Sequence, residues 1–477
     1  MSSLDQGAPF GAAAAGGIGA KRGATLALLA FAQLIIALDL NIVFVALPEI
    51  GAGLGFSGQT LQWVVSAYTV FTGGFLLFGG RAADLIGQRR VFIFALWLYA
   101  LSSLVGGLAW SPEVTIAARA VQGIGAAFLF PATLSLINRL FAEGPERNRA
   151  LAVWGGAGAS GLTLGSLAGG LLTSAFGWPS VFYVNVLLAG VAIIAAFAII
   201  PRDRKRHEHR SFDLPGALTV TTGATLLVFT LVQGPEYGWG STAIIVSAAL
   251  AALFLIAFAV IEAKSADPLM PLRLFHNRSL VAGMTITFLF MGTFGALPYF
   301  LTVLLQNVHG FTALQAGLAF LVPSVAIAVG TQFGERLATR FSTRATLVGG
   351  MVIGAIGTAL MVSGASADSS YLSLVPGLII SGVGQGIVWT AMWIAAASGV
   401  SHDEQGVASG MASTMLNVGN AIGMAVLIAI ANRHVGGLAG DALKIAVADG
   451  IQVAFWLAAA GIAVSLLAAM VLPGKPR

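Results

Sequence analysis

The chain has 477 residues, of which 57% are hydrophobic and 9% are charged, whereas about a quarter of the residues of a soluble domain are charged. It has no cysteine, which excludes disulfides, thiolate nucleophiles and cysteine-based metal sites. The formal net charge of +5 does not indicate a nucleic-acid-binding protein, because the basic residues lie between apolar runs, where they face anionic lipid headgroups.

The apolar runs are long enough to cross a bilayer. About 20 apolar residues span the hydrocarbon core as a helix, and only helices or closed barrels satisfy their backbone groups there. The sequence therefore predicts an all-α polytopic membrane protein with 14 transmembrane helices. The predicted spans are 24–48, 57–79, 91–110, 113–138, 150–173, 179–200, 214–233, 241–262, 279–305, 312–333, 345–364, 371–397, 405–432 and 449–473.

The basic residues are distributed unevenly among the breaks between these spans. All but three of the 24 lysines and arginines lie at or beside the even-numbered breaks or near the chain ends. The exceptions are Arg119, Arg433 and Lys444. Because basic residues stay on the cytoplasmic side during insertion, we expect both termini in the cytoplasm and the chain in the cytoplasmic (inner) membrane.

The breaks also divide the chain into two halves. After the first six spans comes a polar segment at 201–212, and spans nine to fourteen then repeat the loop rhythm of spans one to six. Such parallel repeats are typical of transporters with one central site. The predicted segments are a flexible cytoplasmic tail (1–23), an N-terminal six-helix bundle (24–200), a linker with two extra helices and an interfacial segment (201–278), a C-terminal six-helix bundle (279–473) and a short cytoplasmic tail (474–477).

Two charged residues fall deep within predicted spans. Asp39 lies about 13 Å from the outer end of span one, and Arg119 about 9 Å from the outer end of span four. A charge in hydrocarbon costs about 3 kcal/mol on insertion scales, so such residues face the bundle interior or a wet cavity. We interpret the pair as the proton-coupling site; the alternative is a fixed structural ion pair.

Glycine-rich motifs follow span two and fill span five. In the first, glycines permit a tight turn and Asp84 is placed to cap a helix, so Gly80, Asp84, Gly87, Arg89 and Arg90 are predicted to form a conformational latch rather than an ordinary basic loop. In the second, glycines four residues apart form a groove for a neighbouring helix. Its members are Gly161, Gly165, Gly169 and Gly170; the alternative to a hinge is plain packing.

Polar and aromatic side chains in several spans are candidates for lining a substrate cavity. The alternative is interhelical hydrogen bonding and interfacial tryptophan. The candidates are Gln122, Tyr299, Gln385, Trp389, Trp393, Ser413 and Asn417. The sequence shows neither a cluster of metal-ligating residues nor a phosphate-binding glycine-rich loop, so we expect no enzyme activity, no metal and no cofactor.

These motifs resemble those of the major facilitator superfamily, in its fourteen-helix drug:proton antiporter family, over about residues 24–473. The resemblance rests on the stretches Leu38–Pro48, Gly80–Arg90, Arg119–Ala127 and Gly161–Gly170. It implies two six-helix bundles plus two inserted helices, with the arginine of the helix-four motif acting in proton coupling. Two departures stand out: Ser166 replaces a proline of the antiporter motif, and Gln88 stands where arginine is common.

The resulting hypothesis is a proton-coupled antiporter that exports amphipathic drugs or natural products by alternating access. Its partners would be a small amphipathic substrate, protons and the lipid bilayer, with no nucleic acid, and we expect a monomer. Alternatives are an exporter of one endogenous metabolite or siderophore, an importer if Ser166 abolishes antiport, and a non-transporting membrane receptor or scaffold.

Overall fold

The computed structural model describes residues 11–56, 58–61, 63–203, 213–265, 268, 270–435 and 438–472. In this part of the chain 14 helices are long and apolar enough to cross a membrane, which confirms the predicted fold class. We number these helices in chain order. They are α1 (Gly11–Leu54), α2 (Trp63–Ile86), α3 (Gln88–Gly107), α4 (Pro112–Leu140), α5 (Pro145–Phe176), α6 (Ser180–Ile199), α7 (Leu214–Tyr237), α8 (Thr242–Lys264), α9 (Arg278–Val308), α10 (Gln315–Arg340), α11 (Thr343–Gly364), α12 (Tyr371–Ala397), α13 (Gln405–Ala431) and α14 (Gly440–Met470).

The two halves have the same pattern of helix packing. In the first half α1 packs on α5, α2 on α4, and α3 on both α4 and α6. In the second half α9 packs on α13, α10 on α12, and α11 on both α12 and α14. Every pairing recurs eight helices later, as expected for two six-helix bundles separated by two inserted helices.

Two seams join the halves, and the same repeat relates them. One seam is formed by α2 and α13, the other by α10 and α5. The inserted helix α7 packs on its partner α8 and also on α2 and α13, so it covers one seam from the outside. The boundary between the halves is therefore formed mainly by helices α2, α4, α5, α10, α12 and α13.

The even-numbered breaks share one end of the bundle, which we call the basic end. There Arg22 pairs with Glu146 at 2.9 Å, and Asn148 of the first half donates a hydrogen bond to Thr339 of the second at 3.1 Å. The basic loops of the two halves therefore meet in this structure.

The outer surface of the bundle is apolar, as is expected of helices in contact with lipid. Helix α8 is an extreme case, because large apolar side chains along it are exposed and would form an unfavourable patch in water. They are Ile245, Val246, Leu250, Leu253, Ile256 and Val260.

The amino-terminal segment differs from the prediction. Helix α1 begins at Gly11, so residues 11–23, which we predicted to be a flexible tail, continue the first helix. Residues 1–10, 204–212 and 473–477 lie outside the described residues, and with them most of the polar segment at 201–212 and the predicted carboxyl-terminal tail.

Candidate functional site

Asp39 and Arg119 are brought together inside the first half. Their side chains are 0% and 1% exposed, and Arg119 Nη1 lies 2.6 Å from Asp39 Oδ2. The two residues come from α1 and α4, 80 positions apart in sequence. Each charge thus compensates the other where water is excluded, and removing one partner of such a pair leaves an uncompensated buried charge.

Two amide side chains complete the hydrogen bonds of the Asp39 carboxylate. Gln122 Nε2 donates to Oδ1 at 3.0 Å, and Asn185 Nδ2 donates to the same oxygen at 2.5 Å. Gln122 also donates to Ser103 Oγ at 2.9 Å. Gln122, which we predicted to bind substrate, therefore lies in the Asp39 cluster.

The Arg119 guanidinium has partners besides the carboxylate. Its Nε donates to the Val64 carbonyl at 2.9 Å, and Nη1 donates to Gln122 Oε1 at 2.7 Å. Its Cζ lies 4.3 Å from the centroid of the Tyr68 ring, within the range of a cation–π interaction. These contacts hold Arg119 in place together with its bond to Asp39.

Asn185 was not among the residues predicted from the sequence. It is fully buried in α6, a helix that is otherwise strongly apolar. A single amide in the middle of an apolar span is the signal that would have identified it, because polar groups at that depth face the bundle interior and find partners there.

Asp84 connects the two halves at the basic end. Its carboxylate oxygens accept hydrogen bonds from the backbone N–H groups of Gly406 at 3.0 Å and Val407 at 2.9 Å. These donors lie in the first turn of α13, where backbone N–H groups lack intrahelical partners. Asp84 therefore caps a helix of the opposite half, and its negative charge lies at the positive end of that helix dipole.

Glycines allow this close approach. A Cβ atom on Gly80 would collide with the Gly406 carbonyl oxygen, and one on Gly406 would collide with the Gly80 carbonyl oxygen. Gly87, between α2 and α3, has φ +112°, a conformation that side chains with a Cβ rarely adopt. Gly80 thus permits the close contact between the halves, and Gly87 permits the turn between α2 and α3.

Arg89 and Arg90 contact Asp203 through their backbone N–H groups. Their N–H groups donate to the two Asp203 carboxylate oxygens at 3.2 and 3.1 Å, and Arg139 Nη1 lies 3.5 Å from Asp203 Oδ1. Asp203, at the start of the linker, was not predicted. Gln88, which departs from the family motif, donates a 2.5 Å hydrogen bond to Ser135.

Three of the four predicted groove glycines of α5 lie against α1. An added Cβ would collide with the carbonyl oxygen of Leu38 at Gly165, and would lie 2.7 Å from that of Leu34 at Gly161 and 2.9 Å from that of Ile42 at Gly169. At Gly170 no atom lies within 4 Å of the added Cβ. Gly170 is therefore outside the groove.

Five aromatic side chains meet between the halves, and we call them the tryptophan cluster. Phe130 and Trp154 come from the first half, and Phe290, Trp389 and Trp393 from the second. Trp154 stacks on Trp389 with centroids 6.0 Å apart and an interplanar angle of 17°, and Trp393 lies edge-on to Trp154 at 5.8 Å. Phe130 contacts Trp154 at 5.3 Å and Phe290 contacts Trp389 at 5.5 Å.

The remaining substrate-binding candidates are dispersed. Tyr299, in an irregular part of α9, is 38% exposed, whereas Gln385 is half-buried one helical turn from Trp389. Ser413 and Asn417 donate hydrogen bonds within α13, to the carbonyls of Ser409 and Ser413 respectively. The structure thus brings together Trp389 and Trp393, adds Trp154, and leaves Tyr299 apart.

Nothing in the described residues resembles a metal centre, because no group of three or more His, Asp or Glu side chains there is placed to hold an ion.

Comparison with known proteins agrees with this architecture. Residues 29–424 and 284–477 match the Major Facilitator Superfamily. The chain is 39% identical over 452 residues to the cephamycin export protein CmcT of Amycolatopsis lactamdurans. The aligned region covers 94% of this chain and 91% of that protein. It is 37% identical over 427 residues to the puromycin resistance protein pur8 of Streptomyces alboniger, covering 88% and 84% of the two chains.

A solved structure supports the fold alone. The human organic anion transporter MFSD10 superposes with a TM-score of 0.69 at 17% identity, over 94% of this chain and 99% of that one. Since the family match and both relatives cover most of the sequence, the chain belongs to the Major Facilitator Superfamily and is a multi-pass membrane transporter rather than an enzyme.

Proposed function

We propose that this transporter exports small amphipathic antibiotics or related natural products across the cytoplasmic membrane in exchange for protons. The observation that carries the proposal is the buried Asp39 carboxylate, paired with Arg119 at 2.6 Å and bonded by the amides of Gln122 and Asn185. Ionisable groups inside membrane spans are rare and mark proton or ion pathways. The names of the two relatives, one an export protein and one a resistance protein, support the substrate class.

The hydrogen bonds around Asp39 suit its carboxylate form, and rotation of one amide would suit its protonated form. As a carboxylate, Asp39 accepts from Arg119, Gln122 and Asn185. When it is protonated, Asp39 needs an acceptor for its own O–H. Asn185 Oδ1 is buried and has no hydrogen-bond partner within the described part of the chain, so rotation of the Asn185 amide would present an oxygen in place of the donating nitrogen.

Proton binding would then weaken the link between α1 and α4. Neutral Asp39 no longer balances Arg119, which keeps its bonds to the Val64 carbonyl and to Gln122. In this scheme Asp39 binds a proton from the outer side while the basic end is closed. It releases the proton inside once the halves have rearranged, and substrate moves in the opposite direction.

The test is transport into inside-out vesicles with and without an imposed pH gradient, using a panel that includes puromycin and a cephamycin. Asp39→Asn should bind drug as the unmodified protein does but lose export driven by the gradient. Arg119→Gln should also impair coupling, because the charge that balances the Asp39 carboxylate is removed. Glu49→Gln is the matched control, since Glu49 is an exposed acid on the same helix.

Normal gradient-driven export by Asp39→Asn would refute the coupling assignment. The breadth of the panel separates the proposal from its main alternative, because a protein dedicated to one endogenous metabolite would move one compound and leave the others behind.

A further inference from the structure

The tryptophan cluster contains three buried hydrogen-bond donors that have no acceptor in the described part of the chain. The indole N–H groups of Trp154, Trp389 and Trp393 are enclosed, and no acceptor for them is found among the residues that the structure describes. Buried polar groups are almost always paired, and a buried indole N–H usually finds a partner. Three such donors in one cluster therefore indicate that an acceptor is supplied by something other than these helices.

The cluster also lies on a surface that must separate during transport. Trp154 belongs to the first half, whereas Trp389 and Trp393 belong to the second, so the stacked pair is split by the boundary between the halves. Trp154 follows the start of α5 by nine residues and Trp389 precedes the end of α12 by eight, which places both about 13 Å from the basic end. Opening that end would expose their ring faces.

Gly155 positions the Trp389 ring against α5. A Cβ atom on Gly155 would lie 2.5 Å from Trp389 Cδ1 and 2.7 Å from its Nε1. At the neighbouring Gly156 the nearest atom would be Thr331 Oγ1, at an ordinary 3.4 Å. The site is thus built from ring faces, a glycine backbone and a threonine, all of which are uncharged.

We propose that the tryptophan cluster is where substrate first binds from the basic end, and that it selects flat, uncharged molecules that carry carbonyl or other hydrogen-bond acceptors. This inference rests on the proposed export function and specifies its substrate class. A flat ring system held between Trp154 and Trp389 requires about 7 Å between their faces, two ordinary contact distances. The three indole N–H groups would then donate to the acceptors of the ligand.

The selectivity follows from the chemistry of the lining. Indole faces attract any flat apolar ring system, but the N–H groups favour ligands with acceptors over pure hydrocarbons of the same shape. The cluster offers no carboxylate to balance a dication. The discriminating property is therefore the acceptor and not the ring.

The test uses two ligands of one shape, 9,10-anthraquinone with two carbonyls and anthracene with none. Their binding to purified protein in detergent is measured by equilibrium dialysis, with detergent alone subtracted. We expect preferential binding of anthraquinone. Each substitution of Trp154, Trp389 or Trp393 by Phe, which keeps a ring and removes the N–H, should lower anthraquinone affinity by about twofold to tenfold, the effect of one hydrogen bond, and leave anthracene binding unchanged.

Matched controls are Trp97→Phe and Trp456→Phe, because both tryptophans are exposed on the outer surface. Equal affinities of the unmodified protein for the two ligands, or an unchanged preference in the triple Phe variant, would overturn the inference and leave the cluster as packing between the halves. Gradient-driven export of puromycin by the unmodified protein is measured in a separate experiment. A failure of the export proposal would appear in that experiment, and a failure of this inference would appear in the binding of the two ring compounds.

A second measurement does not depend on variants that fold poorly. In unmodified protein labelled with 5-fluorotryptophan, nine fluorine resonances are expected, one for each tryptophan of the chain. Anthraquinone should shift the three resonances of Trp154, Trp389 and Trp393 more than anthracene does. Saturation with anthraquinone that leaves these three resonances in place would contradict the inference.

Discussion

The Asp84 carboxylate in the first half accepts a hydrogen bond from the Gly406 backbone N–H in the second half at 3.0 Å, across 322 positions of sequence. Because the two residues belong to different bundles, separation of the bundles at the basic end would break this bond. A helix cap that joins two moving bodies stabilises one of their arrangements, and we propose that this is the role of the motif after α2.

Replacing Asp84 should therefore shift the protein toward the state that is open at the basic end. An N-cap is worth about 1 kcal/mol and a charge at a helix terminus adds up to about 2 kcal/mol, so Asp84→Ala should change the ratio of states by about fivefold or more. Asp84→Asn keeps an acceptor without the charge and should give an intermediate shift. The measurement is the distance between spin labels at Ala142→Cys and Arg344→Cys, two exposed positions at the basic end that belong to different halves.

Glu143→Gln serves as the control for that experiment, because it neutralises an exposed acid in the same basic-end region. An identical distance distribution in the Asp84→Ala and unmodified proteins would remove the latch role.

The glycine groove on α5 predicts a graded response to alanine. Gly165→Ala should destabilise the protein by about 1–3 kcal/mol, the usual range for overpacking, because the added methyl group collides with the Leu38 carbonyl oxygen. Gly170→Ala should be close to neutral, since its Cβ meets open space. Thermal unfolding in detergent compares the two variants, and equal effects would show that helix propensity rather than the groove determines the response.

The orientation deduced from the basic loops is open to direct labelling, since the chain has no cysteine. A cysteine at Ala142, at the basic end, should resist a membrane-impermeant reagent in intact cells. A cysteine at Asp368, exposed between α11 and α12 at the opposite end, should react. Labelling of the position 142 cysteine in intact cells would reverse the proposed topology, and inverted membranes provide the control that it is reactive.

Substrate charge should limit what is exported. Asp39 already forms an ion pair with Arg119, so it is not available to balance a charged substrate, and an unpaired buried charge is unfavourable. We therefore expect neutral or weakly charged hydrophobic antibiotics to be exported and lipophilic dications to be exported poorly. Resistance is measured in a host without its own efflux pumps. Strong protection against bivalent cationic antiseptics, with none against neutral drugs, would contradict the charge argument.

The sequence by itself determined the class of protein, the number of spans and the identity of the two deep charges. Transfer of a side chain into lipid depends mainly on that side chain and its depth, so apolar runs and lone charges such as Asp39 can be recognised one segment at a time. The glycines of the motif around Asp84 were identified for the same reason, because a tight turn has a local signature, whereas the helix that Asp84 caps lies 322 positions away in the other half.

Only the tertiary structure decided which residues share a site. Asn185 reaches Asp39 across 146 positions, and Trp154 stacks on Trp389 from the other half, contacts that depend on the rotation and packing of whole helices. The tertiary structure also showed that Gln122 lies beside Asp39 rather than beside the tryptophans. It showed that Gly170 lies outside the groove that Gly165 forms. Lateral packing among 14 apolar helices depends on the close fit of facing surfaces. The amino-acid sequence of one helix does not show which surface of another helix it faces.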